Sequence, residues 1–159
     1  MRWIWIDRFI DFQPGKSATA IKNVTLAEEH LHDHWSAWPV MPFALIIEGM
    51  AQTGGILVGH ARQFREKVIL AKITRAEIDE LVVPGDQLEY HAELTNISEG
   101  AAAIAGVIRR NGQIIGRVEL MFSHIDQNLS GKRFPEENFV FTEQFRRLLA
   151  PFTEGPQHE

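Results

Sequence analysis

"HDHWSAWPVMPFALIIEGMAQTGGILVGHARQF", residues 32–64, decides how the chain folds. From Phe43 onward it is almost wholly apolar until Arg62, with Glu48 as the only acid in that run. Pro42 suits a first helical position, because the N–H it lacks would have no intrahelical partner there. The stretch predicts one long helix from Pro42 to about Phe64, buried on most of its sides. A membrane span is also to be weighed over 35–59. Pro39, Pro42, Glu48, Gln52 and the glycines argue against it, and no membrane span is expected.

Outward from this helix the chain reads as strands. Residues 3–12 suggest a strand or a short extended arm. "SATAIKNVT" (17–25) alternates apolar and polar after a Pro14–Gly15 turn. Residues 26–39 read as an irregular excursion. On the other side come "VILAKIT" (68–74), "AEIDELVVPGD" (76–86) ending in a Pro84–Gly85 turn, "QLEYHAELTNIS" (87–98) and "AAAIAGVIRR" (101–110). Asn111–Gly112 is a tight-hairpin signal, answered by "QIIGRVELMFSHI" (113–125). The order predicts an α+β fold in which an antiparallel sheet wraps one long central helix. That domain covers 1–126. Residues 127–159 form a C-terminal extension: a linker-like stretch, then a short amphipathic helix marked by Phe141, Phe145, Leu148 and Leu149.

Bulk composition narrows the function. A chain of 159 residues with 45% hydrophobic residues fits one domain with a real core. Its net charge of −5 lacks the concentrated positive charge that nucleic acid demands. With no cysteine, thiolate zinc sites, disulfides and cysteine nucleophiles are excluded. "MRWIWIDRFIDF" carries Arg2, Asp7, Arg8 and Asp11, which interrupt the apolar centre a signal peptide needs. A cytoplasmic location is expected.

Positions i, i+4, i+7 and i+11 share one helix face, so Glu48, Gln52, Gly55 and Gly59 form a stripe. Glycine costs about 1 kcal/mol against alanine inside a helix, so two on one stripe need a reason. Either a strand approaches closely or an elongated ligand lies there. A buried carboxylate is costly unless paired, and desolvation raises its pKa, which is what a general acid requires. A structural Glu bonded to backbone or Arg is the alternative. His34 belongs to "EEHLHDHW", in which His30, His32 and His34 would face one way on an extended strand. Convergence on one metal ion would then require a bend, and the other reading is a single working histidine acting as base.

Taken together, His34, Pro39, Pro42, Glu48 and Gln52 resemble the active-site segment of the 3-hydroxyacyl-[acyl carrier protein] dehydratases, and "LVVPGDQL" (81–88) and "WIWIDRFIDF" resemble two of that family's other motifs. The resemblance covers roughly residues 3–125. It implies a hotdog fold and a homodimer whose composite active site pairs His34 of one subunit with Glu48 of the other, with higher oligomers as a further step. His34 would take the C2 proton and Glu48 would protonate the leaving hydroxyl. Phe43, Pro42, Gln52 and Gly55 would line the substrate site, with the Phe43 N–H as oxyanion donor. The substrate would be an acyl chain on acyl carrier protein or another pantetheine. No cofactor and no metal are implied.

Three departures from the pattern stand out. Ser36–Ala37 replace a Pro-Gly after the histidine, Phe43 replaces a glycine, and Asp79–Glu80 replace basic residues before V-x-P-G-D. Carrier docking, if it occurs, is expected at Arg62, Arg65, Lys67, Lys72 and Arg75, which cluster at and after the C-terminal end of the helix, where its dipole favours cations; a solvated basic face is the alternative. Two other readings stay open: a hotdog acyl-thioesterase in which Glu48 activates water, and a non-catalytic acyl-binding or assembly subunit.

Overall fold

The computed structural model describes residues 3–33, 37–125 and 142–153. Six strands and one long helix carry the architecture: β1 (Arg8–Gln13), β2 (Ser17–Asn23), a one-turn α1 (His30–Asp33), α2 (Phe43–Ala61), β3 (Val68–Ile78), β4 (Gln87–Ile97), β5 (Ala101–Arg110), β6 (Gln113–His124) and α3 (Glu143–Thr153). The strands form one sheet in the order β1-β2-β4-β5-β6-β3, with every pairing antiparallel. The sheet wraps α2, which packs chiefly on the central β4. This is the α+β layout that the run of strands around a buried helix predicts.

Close packing explains the helix glycines. A Cβ on Gly49 would lie 2.5 Å from the Tyr90 ring, and one on Gly54 would lie 2.6 Å from Ile104. From the sheet side, a Cβ on Gly106 would meet Met50 at 2.6 Å. The glycines thus let α2 and the sheet approach to contact distance, so that Ile46, Met50, Leu57 and Val58 are buried. Tyr90 beneath them is fully enclosed, and burial pushes its phenol above the ordinary value.

Several boundaries differ from the sequence reading. Pro42 caps α2 rather than opening it, with φ −58° and ψ 137°, so Phe43 is the first helical residue. The helix stops at Ala61 because Gln63 and Phe64 turn left-handed, at φ 55° and 54°, and the Phe64 N–H bonds back to the Gly59 carbonyl. The two runs at 68–74 and 76–86 are not two strands. β3 passes through two register shifts and continues to Ile78. The chain then crosses to the Pro84–Gly85 turn, where Gly85 takes φ 100°. The Asn111–Gly112 hairpin has both residues at positive φ, as a two-residue type I′ turn needs. Residues 3–7 precede β1 as an arm without regular secondary structure.

The excursion after β2 is anchored rather than loose. Lys22, with only 8% of its side chain exposed, meets Glu28 at 2.8 Å and Asp7 at 3.7 Å. Glu28 also accepts a hydrogen bond from the Thr25 N–H. Its carboxylate thereby fastens the entry of α1 to the sheet. α1 overturns the extended-strand geometry for His30 and His32. His30 is buried with its ring edge-on to Trp5, while His32 is exposed and bonds the Leu26 carbonyl.

Candidate active site

Glu48 lies in the second turn of α2, about 7.5 Å along the axis from Phe43. It is half-buried in the single chain rather than enclosed. Its Oε1 accepts a hydrogen bond from Gln52 Nε2 at 3.0 Å. The same amide nitrogen donates to the Trp3 carbonyl at 3.2 Å, and Gln52 Oε1 accepts the Trp5 N–H at 2.8 Å. Gln52 therefore has one orientation, fixed by the N-terminal arm, and it holds the Glu48 Oε1. The i, i+4 spacing makes this contact possible within one helix face.

A groove of 270 Å³ opens beside this pair, lined among others by Trp3, Glu48, Gln52, Gly55, Phe122 and Phe145. Three of the stripe residues thus share one wall of a mainly apolar channel. Gly55 belongs both to the packing and to the channel, since a Cβ there would lie 3.4 Å from Phe122. Gly59 is buried away from the groove lining. Pro42 and Phe43 sit at the N-terminus of α2 and do not line the groove in the single chain. Phe43 is 43% exposed, and its backbone N–H, in the first turn, has no partner among the described residues. A helix N-terminus with free N–H groups favours an anion. His34, with Trp35 and Ser36, lies outside the described residues, one position beyond the end of α1.

Other expectations meet mixed outcomes. The five cations do not assemble into one free surface. Lys67 is buried, Arg62 bonds the Ser98 carbonyl, and Arg75 is taken up by Glu77 and Glu119. Arg65 and Lys72 are exposed. His124 is fully buried against the Glu66 carboxylate. Trp3 and Phe122 were not among the residues that the sequence marks, and Phe145 was marked as a residue of the amphipathic C-terminal helix but not of the groove. For Phe122 a signal existed, because alternation along β6 sets it on the inward side with Leu120. No described helix is long and apolar enough to cross a membrane.

The sheet wrapped on one helix, with an acid in the helix facing a groove, defines a hotdog domain. Solved structures agree on the fold. The dehydratase heterocomplex ApeI:P from Xenorhabdus doucetiae has a TM-score of 0.64 at 16% identity over 80% of this chain and 90% of that one. The thioesterase HI1161 from Haemophilus influenzae has a TM-score of 0.58 at 14% identity over 72% of this chain and 75% of that one. The family is fixed by sequence. The FabA-like domain matches residues 3–119. The 3-hydroxyacyl-[acyl-carrier-protein] dehydratase FabZ of Listeria monocytogenes serotype 4b (strain CLIP80459) is 40% identical over 126 residues, 78% of this chain and 87% of that protein. The FabZ of Caldanaerobacter subterraneus subsp. tengcongensis is 36% identical over 121 residues, 76% of this chain and 86% of that protein. The chain belongs to the FabA-like family.

Proposed function

We propose that this protein is a hydro-lyase that removes water from a 3-hydroxyacyl thioester borne by acyl carrier protein, giving the trans-2-enoyl thioester in fatty-acid synthesis. The observation that carries this reading is Glu48, an acid held in one orientation by Gln52 at the wall of an apolar groove. His34 is the base. It takes the C2 proton, and the electron pair left behind forms the C2=C3 double bond. Glu48 gives its proton to the departing C3 hydroxyl, which leaves as water. Negative charge developing on the thioester oxygen is met by the Phe43 N–H, free in the first turn of α2. Pro42 sets that turn, and Gly55 leaves room for the acyl chain.

Two subunits complete the site. β3 supports this, since it is an eleven-residue edge strand with Ile69, Leu70 and Ile73 exposed, and its first residues form one wall of the groove. An open edge of this length invites pairing with another strand. A second copy joined there would bury the exposed side chains and close the groove. Residues 1–126 are the catalytic domain and 127–159 an appended extension. A cysteine-free chain is compatible with the reducing cytoplasm, where we place its action.

The test offers the enzyme a 3-hydroxyacyl thioester and, separately, a saturated one. Enoyl formation from the first without free thiol from either is the expected result. Release of thiol would support the hydrolase reading, and inertness toward both would support a non-catalytic role.

A further inference from the structure

We infer that the C-terminal helix α3 forms the end wall of the acyl groove, with Phe145 setting how long an acyl chain the enzyme accepts. The family match ends at residue 119, so α3 lies outside the shared domain. It is nevertheless docked on that domain. Leu149 is buried, Phe145 and Leu148 pack against the core, and Phe152 meets Phe12 with ring centroids 6.3 Å apart. Phe12 in turn stacks edge-on with His60 at the C-terminal end of α2. Leu149 lines a second hollow with Gln63 and Phe64, just past that same end. Phe145, one turn before Leu149, is the α3 residue that enters the groove holding Glu48.

The order along the groove follows from the helix. Glu48 marks the reacting end, and Ile56 lies about 12 Å farther along α2. α3 is anchored beyond Ile56, at the α2 C-terminus, so its one ring in the groove stands at the end away from the chemistry. An aromatic ring there is a rigid apolar stop for the tail of the chain. Removing it lengthens the channel, and enlarging it shortens the channel.

The inference rests on the dehydratase reading, and a binding measurement separates the two. Non-reacting S-alkyl pantetheines of increasing length are titrated into the wild type, Phe145→Ala and Phe145→Trp, with dehydration of 3-hydroxyacyl substrates of matching lengths measured in parallel. Phe145→Ala should shift the preferred length upward and Phe145→Trp downward. The ratio of long-chain to short-chain affinity should move roughly tenfold in each direction, the worth of a methylene or so in an apolar pocket. Circular dichroism checks that each variant folds, and Phe145→Leu serves as a milder probe if the alanine variant does not. An equal change at every length, or no change, would overturn the end-wall role. Length-dependent binding without dehydration would instead retire the catalytic reading and leave the wall in place.

Discussion

Gln52 shows how much of the site rests on one side chain. Its three hydrogen bonds tie Glu48, Trp3 and Trp5 together. Glu48→Gln keeps the size and polarity but removes the transferable proton, so dehydration should fall by about two to four orders of magnitude while the melting temperature stays close to wild type. Steady-state kinetics beside a thermal melt reads both. Gly49 makes a second residue-scale prediction. A methyl group there meets the Tyr90 ring, which is fully buried and has nowhere to move. Gly49→Ala should cost about 1–3 kcal/mol through overpacking, seen as a lower midpoint in denaturant with an unchanged slope. The stripe of Glu48, Gln52 and Gly55 was legible in the sequence, because helical spacing alone puts those residues together. The packing duty of Gly49 was not, since it depends on which strand residue lies opposite.

At the scale of the element, the anchored turn of α1 is the least expected feature. Residues 26–39 carry no periodic pattern, so they read as irregular. What orders α1 is a nearly buried lysine on β2 reaching Glu28, a pairing between elements that periodicity within each cannot reveal. Lys22→Met should leave Glu28 without its charged partner and cost about 2 kcal/mol, read by chemical denaturation. Because His34 follows Asp33, the last residue of α1, in the sequence, the same variant should lower kcat more than it raises KM. An unchanged kcat would detach α1 from the chemistry. Strands fared better. Alternation and the Asn111–Gly112 turn marked β5 and β6 closely, because a two-residue turn fixes register. β3 was split in the reading, since its two register shifts break the alternation that would have marked it as continuous.

For the whole molecule, the decisive question is how many chains make one site. β3 ends the sheet with an edge that has no partner strand among the described residues and with exposed aliphatic side chains, and the groove beside Glu48 is open. Both features are accounted for if a second subunit covers them and brings its own His34 to the Glu48 of its neighbour. The most direct measurement is complementation. His34→Ala and Glu48→Gln are purified separately, each expected to be inactive, then unfolded and refolded together at equal amounts. Half of the dimers should be mixed, and each mixed dimer carries one intact site of two, so about one quarter of the wild-type dehydration rate should return. Recovery of that size is the predicted result. No recovery from a mixture shown to contain mixed dimers would contradict the composite site, and with it the pairing of His34 as base and Glu48 as acid across two chains.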